Sequence, residues 1–166
     1  MICAARVESG AATGPWKVLI VDDDPEVHAV TRLCLHGFMF QSRPLEWLSA
    51  HSAAEGRTIM ASRKDIALVL LDVVMETDQA GLEFVRHVRD VLRNRTIRIV
   101  LRTGEAGQAQ PLAVVEQYEI DDFRAKTDLT FERLTILVKC ALRTYGLLRN
   151  LELELQDCRE AAGAHG

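Results

Sequence analysis

The chain has 166 residues, 48% hydrophobic and 27% charged, with a net charge of −4. That length suits one well-buried domain with an extension, and the composition argues against a disordered or membrane protein. Acids and bases are interspersed, which leaves no basic stripe for direct nucleic-acid binding, and no apolar run approaches the length of a bilayer span.

Residues 1–15 are rich in Ala, Gly and Ser without periodicity and read as a flexible leader; they lack the pattern of a secretory signal, so a cytoplasmic protein is expected. Lys17-Val18-Leu19-Ile20-Val21 is continuously apolar after its Lys, as a parallel strand covered on both faces requires. Asp22 and Asp23 follow. Asp24-Pro25 opens a helix, Asp as the cap and Pro at the first helical position. Val27, Val30 and Cys34 mark its inward face, with Leu33 and Leu35 as further core candidates, and Gly37 ends it. Cys34 reads as a small buried hydrophobe, and the four cysteines, Cys3, Cys34, Cys140 and Cys158, show no metal-ligand spacing.

Leu45-Glu46-Trp47-Leu48 is the second strand, and Ser52-Ala53-Ala54-Glu55 has the spacing of a capping box, opening a helix that uses Ile59 and Met60 and stops before Asp65. A third strand, Ile66 to Leu71, ends at Asp72. The loop 73–80 leads to Gly81 and a helix with Leu82, Val85, Val88 and Leu92 on one face. A fourth strand, Ile97 to Leu101, ends at Arg102-Thr103-Gly104. Pro111 to Tyr118 suits a short helix, Asp122 to Ala125 a fifth strand closed by Lys126-Thr127, and a long helix begins at Thr130. Strand and helix alternate five times, which calls for a parallel sheet with right-handed crossovers, the flavodoxin-like α/β architecture.

On that fold the carboxyl ends of the strands bring together Asp22, Asp23, Asp72, Thr103 and Lys126. Converging carboxylates raise one another's pKa or demand a cation, and a hard divalent ion such as Mg²⁺ takes oxygen ligands. Asp23 and Asp72 suit direct ligation, Asp22 the positioning of metal-bound water, and the Val74 carbonyl, two residues past Asp72, a further ligand. A carboxylate can also attack phosphorus when nearby cations neutralise the transferring group, a task for Lys126, while the Thr103 hydroxyl could donate to a phosphoryl oxygen. Taken singly, Asp72 is a turn residue, Thr103 a strand end and Lys126 a surface cation; their standing rests on placement.

Val18-Leu19-Ile20-Val21-Asp22-Asp23-Asp24-Pro25, Leu70-Leu71-Asp72-Val73-Val74-Met75, Gly81, Thr103-Gly104 and Lys126 together resemble a response-regulator receiver domain of the CheY-like type, over roughly Lys17 to Tyr145. The resemblance implies a (βα)5 fold with a five-stranded parallel sheet, Asp72 as phosphoacceptor, Asp22 and Asp23 as the acidic pair, Thr103 as switch hydroxyl, Lys126 as the paired lysine and Phe123 as switch aromatic. It also implies Mg²⁺, with Mn²⁺ able to substitute, and a histidine kinase or phosphotransfer protein as partner. The chain departs from the usual pattern at Glu76 and Thr127, where Pro is common, at Phe123, where Tyr is commoner, and at Arg102, where a small or apolar residue is usual. These segments are similar to a receiver subgroup found ahead of larger output modules, including HD-GYP-type phosphodiesterases. No such module lies within the 166 residues, which leaves a stand-alone receiver and a piece of a longer protein both open.

Leu137, Ala141, Thr144, Leu148, Leu151, Leu155, Cys158 and Ala162 alternate four and three apart, the spacing of a heptad seam. The expected division is therefore a receiver over 16–146 and a helical extension over 147–166 that joins two copies as a coiled coil, with Gly146 as a hinge. Two other readings remain: a metal-dependent phosphohydrolase working through an aspartyl phosphate, and a dimerisation module in which Asp72 stays unmodified.

Overall fold

The structure is a computed structural model that describes residues 14–104, 118–128 and 130–163. The first apolar run forms β1 (Trp16–Val21), and Asp24 caps α1 (Pro25–Cys34) by accepting the Glu26 backbone N–H at 2.8 Å. A two-residue strand, β2 (Met39–Phe40), and the eight-residue β3 (Arg43–Ala50) follow. Next come α2 (Ala53–Ser62), β4 (Ile66–Asp72), and α3 (Ala80–Arg86), which runs on into a single π-helical turn at His87–Val91. The chain then forms β5 (Arg98–Thr103) and β6 (Asp122–Ala125), a 3₁₀ turn at Lys126–Asp128, and α4 (Phe131–Gly163).

The sheet order is β2-β3-β1-β4-β5-β6, and β3, β1, β4, β5 and β6 pair in parallel. These five parallel strands are the expected flavodoxin-like sheet. A sixth strand was not anticipated: β2 pairs antiparallel with β3 through a tight turn in which Gln41 and Ser42 both have positive φ, 50° and 59°. Both central residues at positive φ is the geometry of the type I′ hairpin, which sequence usually announces with Asn-Gly. Gln-Ser gives no such signal, so β3 also began two residues earlier and ended two later than the run Leu45 to Leu48 suggested.

One sheet face packs Leu19, Val21, Val69, Leu71, Ile99 and Leu101 against Met60 of α2 and Phe84, Val85 and Val88 of α3 and its π turn. The other packs Val18, Leu68, Leu70 and Val100 against Leu134, Val138, Leu142 and Tyr145 of α4. The capping box forms at α2: Ser52 Oγ accepts the Glu55 N–H at 3.1 Å, and Glu55 reaches back to the His51 N–H at 2.7 Å. Arg89, buried in the π turn, donates to the carbonyls of Asn94, Ile97 and Glu119, tying the chain before β5 to the chain before β6.

The inward face assigned to α1 is corrected. Val30 and Leu33 are 58% and 76% exposed, Val27 and Cys34 are half-buried, and the residues turned inward are His28, Thr31 and, as expected, Leu35. The reason is polar: His28 and Thr31 find partners beneath the helix that Val30 could not satisfy. The long helix is unbroken at Gly146, and two residues of the heptad seam, Leu137 and Ala141, are buried against the sheet, so neither is available to a second copy. From Leu147 onward the apolar residues Leu147, Leu151, Leu153 and Leu155 are exposed, although Glu152 still meets the Thr96 hydroxyl. Residues 1–13 of the leader, and the helix expected at 111–118 apart from Tyr118, lie outside the described residues.

Gly81 is required by a close approach: a Cβ there would lie 2.2 Å from the Asp72 carbonyl oxygen and 2.9 Å from Val73 Cα. Its own N–H donates to the Val73 carbonyl at 3.1 Å, pinning the start of α3 under the end of β4. Gly81→Ala should therefore destabilise the fold by about 3 kcal/mol, read as a lowered urea midpoint with unchanged m-value.

Candidate functional site

In a doubly wound sheet the crevice lies where the strand order reverses, here between β1 and β4. Asp22 follows β1 and Asp72 ends β4, so the two carboxylates straddle that point. Asp22 is fully buried and Asp72 nearly so, whereas Asp23 faces solvent. Ligand oxygens of all three lie within 4.8 Å of one another.

Lys126, at the start of the 3₁₀ turn after β6, reaches across two strands to bind both buried acids. Its Nζ lies 2.8 Å from Asp72 Oδ2, 3.1 Å from Asp22 Oδ2 and 3.3 Å from Asp22 Oδ1. The backbone supports the acids as well: the Val73 N–H donates to Asp72 Oδ1 at 2.8 Å and the Asp24 N–H to Asp22 Oδ1 at 3.1 Å. Burial pushes the Asp72 carboxyl above its usual range, partly offset by Lys126. Burial alone would lower the Lys126 ammonium pKa, but Asp72 and Asp22 outweigh it and raise it. Lys126 therefore stays charged at neutral pH.

The donor set fits a hard divalent cation. It is all oxygen, and Asp22 Oδ2 is buried and faced by cations, Lys126 Nζ at 3.1 Å and Arg102 Nη2 at 3.6 Å, so the pocket selects positive charge. Val74 is exposed on the loop immediately past the acid.

The remaining predicted residues are spread around this centre. Thr103 ends β5 with its side chain buried. Phe123 lies opposite Leu101 in β6 and packs, half-buried, on the α2/α3 face of the core. Thr127 is exposed, and every described peptide bond is trans, that between Lys126 and Thr127 included. Glu76, at a common Pro position, accepts the Ala53 N–H at 2.9 Å and so links the loop after Asp72 to the first turn of α2.

Two residues at the site, His28 and Thr31, carry no signal in the sequence, and a third, Arg102, is buried more deeply than its charge suggests. His28 places Nε2 2.8 Å from the Asp22 carbonyl oxygen and Nδ1 2.9 Å from Ser49 Oγ, bracing the turn that carries Asp22. Thr31 donates to the Val27 carbonyl at 2.6 Å and accepts from Arg102 Nη1 at 2.9 Å. Arg102, noted in sequence as a charge beside Thr103, is only 2% exposed, and its Nη2 stands 3.6 Å from Asp22 Oδ2. Burial lowers its pKa, opposed by Asp22 and Asp72, and its Nε and Nη2 make no hydrogen bond. Strand alternation was the available signal: two residues past buried Val100, position 102 shares the face covered by α1 and α4.

No family model matches the sequence. Over 151 residues, 89% of its length, the chain is 52% identical to a 3'3'-cGAMP-specific phosphodiesterase of Vibrio cholerae, and it spans 29% of that protein. Among solved structures it is similar to a response regulator receiver protein from Pseudomonas putida, with 26% identity, a TM-score of 0.61, and coverage of 75% of this chain and 96% of that one. It is also similar to the signal receiver domain of an HD domain-containing protein from Pseudomonas fluorescens, with 17% identity, a TM-score of 0.69, and coverage of 86% and 98%.

The burial of Arg102 gives a stability contrast between the paired acids. Asp22→Ala removes the carboxylate beside a buried guanidinium and should cost about 3 kcal/mol or more. Asp23→Ala removes a solvated charge and should change stability by less than about 0.5 kcal/mol. Urea unfolding of the two variants at pH 7 checks the difference.

Proposed function

Because this chain is a receiver domain of the response-regulator family, we propose that it is a phosphorylation switch in which Asp72 accepts a phosphoryl group from a histidine kinase, a phosphotransfer protein or a small phosphodonor. The observation that carries this reading is the ion pair of Lys126 Nζ with Asp72 Oδ2, 2.8 Å long, at the switch point of the sheet. An Asp72 carboxylate oxygen attacks phosphorus, the bond from phosphorus to the donor's nitrogen or oxygen breaks, and the electron pair leaves with the donor.

Lys126 neutralises charge on the transferring group and holds the carboxylate in place. Asp22, Asp23, Asp72 and the Val74 carbonyl would hold Mg²⁺, or Mn²⁺ in its place, whose charge offsets that of the phosphoryl oxygens. The Thr103 hydroxyl then donates to a phosphoryl oxygen, and Phe123, on the neighbouring strand, changes its packing in response. The altered state is read through α4, whose exposed leucines join two copies. The 52% identity to the Vibrio cholerae protein supports a phosphodiesterase acting on a cyclic dinucleotide as the output under control.

Acetyl phosphate with Mg²⁺ should yield one acid-stable, base-labile phosphoryl group per chain, resolved on a phosphate-affinity gel and absent in Asp72→Asn. Label persisting in Asp72→Asn would remove the assignment. For the pairing of copies, sedimentation in the presence of beryllofluoride should show a dimer in the native chain and a monomer in Leu151→Glu/Leu155→Glu. A phosphoryl mimic that leaves the native chain monomeric contradicts a dimer read out through α4.

A further inference from the structure

Arg102 belongs to no step described so far, yet it sits against the acids. It is the parallel-register partner of Asp72, and its side chain leaves β5 on the α1 side of the sheet. Three restraints fix its guanidinium. Nη1 donates to Thr31, Thr31 is itself anchored to the Val27 carbonyl, and the whole side chain is enclosed. What remains of its donor capacity, Nε and Nη2, is buried and makes no hydrogen bond; Nη2 is held by charge alone, 3.6 Å from Asp22 Oδ2.

The same oxygen lies 3.1 Å from Lys126 Nζ, so Asp22 Oδ2 faces two cations at once. Asp22, Asp23 and Asp72 carry three negative charges and Lys126 one positive, leaving −2; counting Arg102 leaves −1. A mobile surface arginine would swing aside or be screened by salt. An enclosed one does neither. Any divalent cation approaching the acids must bind against a positive charge that the fold holds in place.

We infer that Arg102 is a built-in competitor for the divalent cation at Asp22: it weakens metal binding to the acidic pocket and so sets the free Mg²⁺ concentration at which the pocket fills. The inference rests on the reading of Asp22, Asp23 and Asp72 as a cation site. Arg102 acts through Asp22 and is a positioning residue, with no part in bond making. The energetic logic is that the guanidinium neutralises a buried carboxylate when no metal is bound, which keeps the fold intact, and that this neutralisation opposes the incoming ion. A unit charge fixed this close, in surroundings of effective dielectric near 20, is worth ~10-fold or more in divalent-ion affinity.

The test is direct titration of the whole chain with Mn²⁺, followed by the loss of the free-ion electron paramagnetic resonance signal, and with Mg²⁺ by calorimetry. Four proteins are compared: native, Arg102→Lys, Arg102→Gln and Arg102→Leu. Gln retains an N–H donor for Thr31 without the charge, so it reports even if the Leu variant fails to fold; circular dichroism and urea unfolding establish which variants are folded. Folded Arg102→Gln and Arg102→Leu should bind the metal ~10-fold or more tightly than the native chain, and Arg102→Lys should stay near it. Unchanged or weaker binding in the neutral variants overturns the role of Arg102. Asp23→Asn separates the two readings: if it weakens binding while the Arg102 variants match the native chain, the cation site stands and the competitor falls. If neither the native chain nor Arg102→Gln binds metal, the cation site falls and the competitor with it.

Discussion

Two carboxylates buried side by side at the ends of neighbouring strands are tolerable only if cations reach them, and the placement of Lys126 follows from that constraint. Its ammonium touches both Asp22 and Asp72, although it enters from the far side of β5. To bring it there, β6 must pair in register with β5 and turn sharply at its end, which the 3₁₀ turn accomplishes. Removing Lys126 would leave Asp72 with one backbone N–H and no direct counter-charge among the described residues. The sheet edge and the chemistry are therefore specified by the same contact. Mutual repulsion between the acids gives the pocket its appetite for positive charge, and the fold supplies part of that charge itself.

Much of this was legible in the sequence because covered parallel strands are written in a plain code. The runs ending at Val21 and Leu71 have every residue from Val18 and Ile66 onward buried, and an acid immediately after such a run has to lie at the strand end. Asp24 and Ser52 announced their helices for local reasons, a cap being a contact between residues two or three apart. Asp22, Asp72 and Lys126 could be brought together because the doubly wound order carries their three strands to one edge.

What the sequence hid depends on partners distant along the chain. Val30 looks inward by apolar character, but the space beneath His28 and Thr31 is polar, filled by Arg102, 71 residues along the chain from Thr31, and by Ser49. Hydrophobic periodicity cannot find a buried face made of His28 and Thr31. The β2–β3 hairpin failed for a different reason: Gln41 and Ser42 adopt positive φ without the residues that usually favour it. Glu76 is a third case. Its contact with Ala53 spans 23 positions, and no short-range pattern registers it.

The uninterrupted course of α4 has a mechanical meaning. The 33 residues from Phe131 to Gly163 make a rod of about 50 Å, clamped to the sheet from Leu134 to Tyr145 and reaching past it thereafter. Glu152 holds the helix once more, to the Thr96 hydroxyl, and the 11 residues after it give an arm of about 16 Å, so a tilt of about 5° there would sweep its end by about 1.4 Å. Atomic adjustments near Lys126, five residues before the rod begins, would thus arrive at the far end enlarged. A helix that broke at Gly146 would absorb such a tilt in its joint; this one, continuous through Gly146, has no such joint there.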